Sequence, residues 1–317
     1  MLMEISSIGI DLLDSFKALF GSSKRIYWQY IFSSVSIALI YLLIYTKEQK
    51  INLSTKLWLH KSSILDYKYF VVSFLIKTVF IVPIVIGVNE ITLFVYEYLT
   101  DYFGYKNIKG LSYSQVVLFY TLSLFIVSDF TRYWLHRFLH TIPILWEFHK
   151  VHHSAKVLNP LTFYRVHPVE NILFGFRYSL SIGVVSGVFI YFFGAMISVY
   201  EILGANAFLY VFSLMGSNLR HSHIKLHYPK MVENILISPF QHQLHHSTKY
   251  YNKNFGGYLS IWDKIFGTLQ TSKEILSSKE KIRFGIEIQN FKTITDLLYI
   301  PFKKSVQSIK IRRKYEK

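Results

Sequence analysis

The chemistry in this 317-residue sequence is concentrated in its histidines. The chain holds 13 of them, and all except His60 fall between positions 136 and 246. Three motifs account for most of the set: one pair spaced by four residues and two triplets of the form HxxHH. These motifs contain His136 and His140; His149, His152 and His153; and His242, His245 and His246. Residues three or four apart share one face of a helix, so each motif would present its imidazoles together.

Clustered imidazoles of this kind indicate metal binding. Protonated imidazoles would repel one another, whereas neutral imidazole is a good ligand for first-row metals. Eight such histidines, with one or two more nearby, exceed the roughly four to six positions around one ion, which indicates two metals. An all-nitrogen site fits iron, copper or zinc and does not suit magnesium or calcium. Open positions beside a bilayer would suit O₂ chemistry on a lipid, while a hydrolytic site with two zinc ions is an alternative that the ligands also allow.

The composition narrows the class of protein that carries these motifs. Half of the chain (51%) is hydrophobic, 18% is aromatic and only 17% is charged, which favours a membrane protein. The net charge of +16 suits either nucleic acid or an anionic membrane face. We expect no nucleic-acid partner, because the apolar runs are long and no nucleic-acid-binding motif is present. The sequence has no cysteine, so thiolate-ligated clusters and a cysteine nucleophile are excluded.

Long apolar segments predict the membrane spans. About 20 uncharged residues are needed for a helix to cross the hydrocarbon layer. The predicted spans cover residues 26–46, 69–100 and 111–128, followed by a hairpin of two spans at 178–219 that turns near Gly194. The segment 69–100 is interpreted as one span, with a hairpin broken around Pro83 and Gly87 as the alternative. Basic loops place both histidine-rich stretches on the cytoplasmic side.

These observations predict an all-α fold, a multi-pass transmembrane helical bundle of four or five spans with a cytosolic, histidine-rich helical cap. Three regions follow from it: an N-terminal transmembrane region at 1–128, a catalytic region at 129–268 and a basic cytosolic segment at 269–317. The end of that segment, 303–317, is interpreted as an amphipathic surface segment against anionic lipid or as a frayed basic end.

The region from Asp129 to Thr268 resembles the sterol desaturase/fatty acid hydroxylase superfamily of integral membrane, non-haem di-iron oxygenases. Beyond the histidine motifs, the resemblance rests on RxHPxE at 165–170, HSxI at 221–224, PxxHxxHH at 239–246, NFG at 254–256 and LSIWDKIFGT at 259–268. It implies two iron ions, O₂ as oxidant, a lipid substrate of sterol or fatty-acyl type from the bilayer, and a separate electron donor resembling cytochrome b5 or ferredoxin.

The same resemblance assigns the metal ligands. The ten expected ligands are His136, His140, His149, His152, His153, His221, His223, His242, His245 and His246, with His227 as an alternative in the third group. Side chains expected to hold the ligands in place are Asp129, His167, Glu170, Asn254 and Asp263, with Glu147 a further candidate. His60, in a basic loop, is expected to be solvated.

The function that follows is hydroxylation or desaturation of an unactivated C–H position of a lipid, and the sequence does not choose between the two. An alkylglycerol ether monooxygenase, which uses a pterin, is the enzyme alternative. A metal transporter or sensor is the alternative from another class, although transporters place ligands within spans, whereas these motifs flank them. The expected location is the endoplasmic reticulum in a eukaryote or the inner membrane in a bacterium.

Overall fold

The computed structural model describes residues 20–22, 24–45, 55–81, 87–194, 197–199, 201–202, 205–278, 280–286 and 291–315. Within these ranges the regular secondary structure is helical, apart from one antiparallel pair of two-residue strands, β1 (Glu201–Ile202) and β2 (Ala205–Asn206), and two isolated β-bridges. The predicted all-α fold class is therefore confirmed.

The helices follow one another with short connections. In chain order they are α1 (Trp28–Tyr45), α2 (Thr55–Trp58), α3 (Lys61–Ile76), α4 (Val88–Phe103), α5 (Tyr113–Thr141), α6 (Pro143–His153), α7 (Pro168–Phe193), α8 (Ala207–Leu214), α9 (Lys230–Glu233), α10 (Pro239–His245), α11 (Ile261–Ile265), α12 (Ser272–Ser277) and α13 (Ile294–Tyr315). A π-helical turn at Lys77–Ile81 extends α3, and 3₁₀ turns lie at Pro160–Tyr164 and Ser217–His221.

Two of these helices, α5 and α7, are long and apolar enough to cross a membrane. At about 1.5 Å per residue, 29 residues of α5 and 26 of α7 both exceed the ~30 Å hydrocarbon layer. The predicted span 111–128 coincides with the first part of α5, and the first arm of the predicted hairpin lies in α7. The predicted span 26–46 corresponds to α1, a shorter apolar helix.

The remaining spans stay predictions. Within 69–100 the structure has α3 with its π-helical turn and then α4, for which Gly87 is the N-cap; Pro83 lies outside the described residues. In the predicted hairpin, α7 ends at Gly194, and α8 contains only eight residues. Residues 195–196, 200 and 203–204 lie outside the described part of the chain. The second arm is thus shorter, as a helix, than the predicted span.

Glycines allow α4 to approach α7 closely. A Cβ atom placed on Gly183 would lie 2.6 Å from Cβ of Ile91, and one on Gly187 would lie 2.7 Å from Cβ of Val95. Such a pair of small residues, four apart, is typical of tightly packed membrane helices. On its other side α7 contacts α5, where hydroxyl pairs such as Tyr120 Oη and Ser186 Oγ, 2.7 Å apart, connect the two helices.

The basic segment 269–317 contributes to the core through α13. Leu297 is fully buried beside Val151 of α6 and Tyr69 of α3. Farther along α13, the ring of Phe302 packs edge-on against Phe148 at 5.2 Å. The start of α13 thus supports α6, which carries the first HxxHH triplet, while the side chains from residue 309 onward lie outside the described part.

Candidate metal centre

The first two histidine motifs are brought together by a sharp reversal between α5 and α6. Ile142 ends α5 and precedes α6, and Pro143 occupies the first position of α6, where its missing N–H costs no hydrogen bond. His136 and His140 therefore face the His149 triplet across this turn. The rings of His140 and His149 lie 4.7 Å apart.

The second triplet is carried by α10, a short helix with a strong N-terminal cap. Ser238 and Gln241 form a reciprocal capping box, and Pro239 is the first residue of the helix. Glu233 anchors the cap by accepting a hydrogen bond of 2.6 Å from Ser238 Oγ. The 3₁₀ turn at Ser217–His221 packs beside α10 and contributes His221.

Nine buried histidines form two adjoining groups. The first, which we call the five-histidine group, contains His136, His140, His149, His153 and His245. The second, the four-histidine group, contains His152, His221, His242 and His246. Within each group the ligand nitrogens all lie within 4.8 Å of one another. The two groups are in direct contact, because the rings of His153 and His246 stack with their centroids 4.6 Å apart.

The nitrogen spacings match those around a metal ion. In the four-histidine group, Nε2 of His221, His242 and His246 form a triangle with sides of 3.0, 3.2 and 3.2 Å. In the other group, Nε2 of His149 lies 3.2 Å from Nε2 of both His136 and His153. Ligands at right angles on metal–nitrogen bonds of about 2.1 Å stand about 3 Å apart.

The outward contacts of the rings fix which nitrogen faces inward. Nδ1 of His136 donates to the carbonyl of Phe255 at 2.8 Å, and Nδ1 of His245 donates to the carbonyl of Lys253 at 2.8 Å. Nδ1 of His152 likewise donates to the carbonyl of Arg165 at 3.2 Å. Because a carbonyl only accepts, the proton lies on Nδ1, and the Nε2 lone pair is directed into the group.

The electrostatics agree with metal-binding imidazoles. Burial lowers the pKa of His149 and of His152 to about 3, so both rings are neutral near pH 7. Both nitrogens of His140 are buried and make no hydrogen bond within the described part of the chain. Lone pairs facing one another in a dry site are unfavourable, and a cation reverses the sign of that interaction. The donor set therefore fits a metal.

Nine of the ten expected ligands lie in these groups, and His223 does not. Ser222, extended at φ −147°, follows the 3₁₀ turn that carries His221. His223 is half-buried outside both groups. Nδ1 of His227 lies 3.3 Å from the carbonyl of Lys225 and 3.5 Å from the hydroxyl of Tyr41. His221 is therefore the histidine that this stretch contributes, and the role of each histidine as a ligand stays a proposal.

Two of the expected supporting carboxylates act on one loop rather than on a ring. Asp129 accepts backbone N–H groups of Tyr258 and Leu259 at 2.8 and 3.0 Å. Asp263 accepts those of Phe255 and Gly256 at 2.7 and 2.8 Å. These bonds hold the loop whose Phe255 carbonyl contacts His136.

The other expected residues take different positions. Glu170 lies 3.0 Å from Nδ1 of His149 and is the carboxylate of this set that contacts a histidine. Asn254 donates to the carbonyls of Gln241 and Gln270, which ties the loop to α10.

Three further predictions concern residues outside the groups. His167 caps α7 by accepting from the N–H of Val169, and its Nε2 contacts the carbonyl of Leu298 in α13. Glu147 pairs with Lys150 on α6. His60, expected to be solvated, accepts from the N–H of Ser62 and caps α3.

The carbonyls that orient the rings were missed by the sequence interpretation. Every residue has a carbonyl, so only the folded path identifies those of Arg165, Lys253 and Phe255. Arg165 itself is held by an ion pair with Asp66 of α3, for which the RxHPxE motif was the available signal.

The histidine groups lie within a stretch of the chain that matches a known protein family. Residues 121–268 match the fatty acid hydroxylase family model, and that range includes all nine grouped histidines. This domain belongs to the sterol desaturase/fatty acid hydroxylase superfamily. The resemblance drawn from the motifs is thereby confirmed.

Several curated proteins resemble the chain over about half of its length. Human alkylglycerol monooxygenase is 32% identical over 167 residues, which are 52% of this chain and 32% of the human protein. A Delta(7)-sterol 5(6)-desaturase of Aspergillus fumigatus is 27% identical over 51% of this chain and 42% of its own length. Ornithine lipid hydroxylase of Rhizobium tropici is 28% identical over 45% of this chain and 39% of its own length. The match spans well under half of each relative, and no solved structure matches the chain.

Proposed function

We propose that the protein is a membrane-bound, non-haem di-iron oxygenase that uses O₂ and external electrons to hydroxylate or desaturate an unactivated C–H position of a lipid. The observation that carries the proposal is the pair of adjoining histidine groups with inward-facing nitrogens. They lie within a domain shared with lipid hydroxylases, desaturases and monooxygenases.

The proposed ligands divide between the two ions according to the two groups. One iron would be held in the five-histidine group and the other in the four-histidine group. Bound there, the irons would supply the activation of O₂ that attack on an unactivated C–H bond requires. Every donor in the groups is an imidazole, a set that suits iron and does not suit magnesium or calcium.

The protein's own contribution is to orient the ligands and to exclude water. Glu170 and the carbonyls of Phe255, Lys253 and Arg165 fix the rings from outside. Aromatic rings close the five-histidine group: Trp146 lies 4.8 Å and Phe255 5.0 Å from His140. A dry surround of this kind protects a reactive centre from side reactions with water.

The partners and the location follow from the same proposal. The lipid would enter from the bilayer beside α5 and α7, the two helices that could span a membrane. Electrons would come from a separate donor, resembling cytochrome b5 or ferredoxin, that meets the basic cytoplasmic face. The active site would face the cytoplasm, in the endoplasmic reticulum of a eukaryote or the inner membrane of a bacterium.

A second candidate is an alkylglycerol monooxygenase that uses a pterin. It is favoured by the 32% identity to the human enzyme, which exceeds the 27% and 28% identities to the sterol desaturase and the ornithine lipid hydroxylase. Turnover of an alkylglycerol that depends on added pterin would select this candidate over a hydroxylase or desaturase that draws on a protein electron donor.

The proposal is tested by metal analysis of the purified protein together with lipid profiling of cells with and without it. We expect two irons per chain and a new hydroxylated or unsaturated lipid. Zinc in the site, together with an unchanged lipid profile when a reductase is co-expressed, would contradict it. A variant with His153→Ala is the matched control for the lipid profile.

A further inference from the structure

Four arginines gather around Tyr258, next to the four-histidine group. They come from separate parts of the chain: Arg25 precedes α1, Arg132 lies in α5, Arg177 in α7 and Arg220 in the 3₁₀ turn at Ser217–His221. Arg25, Arg177 and Arg220 each lie within electrostatic range of both Arg132 and Tyr258. Like charges brought together by four segments repel unless something neutralises them.

Arg220 is the most informative of the four because it is almost completely buried. It is 1% exposed, and its Nη1 donates to the carbonyl of Gly257 at 2.6 Å. Its Nε and Nη2 are buried and make no hydrogen bond within the described residues. Nε of Arg177 is likewise buried and makes no hydrogen bond within the described residues. Guanidinium groups stay charged at any ordinary pH, so buried, unpaired N–H donors are costly.

Arg165 provides an internal comparison. It is equally buried, at 1% exposed, but it pairs with Asp66 and donates to Ser62 and Ser154. In the described part of the chain, none of the four arginines around Tyr258 forms an ion pair with a carboxylate. Arg165 is thus paired with an internal anion, whereas the buried Nε and Nη2 of Arg220 have no hydrogen-bond partner among the described residues.

The internal carboxylates near the cluster do not fill this role. Asp129 is within electrostatic range of Arg132 and Arg177. Its two oxygens, however, already accept from the backbone of Tyr258 and Leu259 and from the indole of Trp262. Glu170 is also within electrostatic range of Arg132, and it forms no ion pair with it. Two carboxylates thus face four guanidinium groups, which leaves an excess of positive charge.

An apolar aromatic surface adjoins the arginines. Phe212 packs on Tyr258 at 5.0 Å, and Phe125 lies 6.0 Å from Tyr258 and 5.4 Å from Phe208. Arg177 donates to the carbonyl of Ser128, where the predicted span 111–128 ends, and Arg132 lies about one turn farther along α5. Positive charge at the end of a span, next to apolar rings, suits an amphiphile whose charged group stays at the level of the lipid headgroups.

We propose that this arginine cluster, Arg25, Arg132, Arg177 and Arg220, binds the phosphate or carboxylate group of an anionic lipid. The open N–H donors of Arg220 and Arg177 contact the anion, and the aromatic surface carries the chain. The site adjoins the metal centre, since Phe163 lies under the Arg25 guanidinium at 4.2 Å and 6.0 Å from the ring of His221. If the proposed oxygenase function holds, its substrate class is an anionic lipid.

Direct binding tests the cluster independently of turnover. The purified full-length protein, in dodecyl maltoside micelles, is titrated with radiolabelled dodecyl phosphate, with dodecanol and inorganic phosphate as competitors. We expect dodecyl phosphate to bind and dodecanol to compete poorly. Arg132→Gln should weaken binding roughly ten- to hundredfold, the usual effect of losing a charged partner. Arg220→Lys, which keeps the charge and loses the fork of donors, provides a second measurement.

The matched control is Arg137→Gln, on the same helix as Arg132. Nη1 of Arg137 donates to the hydroxyl of Tyr133, away from the cluster, so this variant should bind as the wild type does. Equal binding of dodecanol and dodecyl phosphate, or equal weakening by Arg137→Gln and Arg132→Gln, would overturn the proposal. Inorganic phosphate binding as tightly as dodecyl phosphate would overturn the assignment to a lipid. Retained binding in a protein without oxygenase activity would instead count against the proposed function alone.

Discussion

Oε2 of Glu170 lies 3.0 Å from Nδ1 of His149, and this contact connects α7 to the metal-facing side of α6. Both side chains are buried, at 2% and 3% exposed. A carboxylate beside the outer nitrogen of a ligating imidazole restricts the orientation of the ring. We propose that Glu170 is a positioning residue that acts through His149.

Replacing Glu170 with Gln should weaken metal binding by about 10- to 100-fold, because the ring loses its neighbouring carboxyl group while the side-chain volume is kept. Metal content after dialysis against graded chelator measures the change. Glu147→Gln is the matched control, since Glu147 lies on the same helix as His149 and pairs with Lys150 instead of a histidine. Equal metal retention in both variants would show that Glu170 does not support the site.

The third histidine stretch allows a test within seven residues. His221→Ala should remove metal from the four-histidine group and abolish activity, because Nε2 of His221 lies 3.0 Å from that of His246. His223→Ala and His227→Ala should keep both, since neither residue lies in a group. Iron content and lipid turnover of the three variants are the measurements. If His223→Ala were the one variant of the three to lose metal, His223 would replace His221 as the proposed ligand.

This stretch also shows where sequence interpretation reaches its limit. The spacing within HxxHH and HxxxH was enough to predict eight grouped histidines, because helical geometry fixes which residues share a face. Between His221 and His223 the chain leaves a 3₁₀ turn for an extended residue, and neither periodicity nor charge indicates which ring turns inward. The long apolar helices α5 and α7 were predictable from hydropathy, whereas the carbonyls that orient the rings depend on tertiary contacts.

Removal of the metal should lower the melting temperature substantially. Nine buried imidazoles then face one another without a cation, and a ligand that binds only the folded state stabilises it in proportion to the logarithm of its concentration over Kd. Thermal unfolding with and without chelator measures the effect. His153→Ala and His246→Ala should each show a smaller drop, because each already lacks part of the site.

His60→Ala is the control for that experiment. His60 caps α3 through the N–H of Ser62, so its loss should cost about 1 kcal/mol of stability. Its response to chelator should equal that of the wild type, and activity should be retained. A chelator response as small as that of His153→Ala would mean that the stabilisation comes from metal bound elsewhere.

Gly256 allows the loop of Phe255 to pass close to the metal centre. A Cβ atom at Gly256 would lie 2.5 Å from the carbonyl oxygen of Leu259 and 2.9 Å from Oδ2 of Asp263. The first contact is with backbone, so a side-chain rotation cannot relieve it. Gly256→Ala should therefore displace the Phe255 carbonyl from His136, cost about 1–3 kcal/mol of stability and reduce metal occupancy.

Gly104→Ala separates these two effects. Gly104 follows α4 with φ of 71°, and nothing lies within 4 Å of a Cβ placed there, so Ala costs stability through backbone strain alone. Thermal unfolding and iron content of both variants are compared. We expect Gly104→Ala to lose stability and keep its metal, and Gly256→Ala to lose both. Full iron content in Gly256→Ala would show that the ring of His136 does not need the Phe255 carbonyl to remain a ligand.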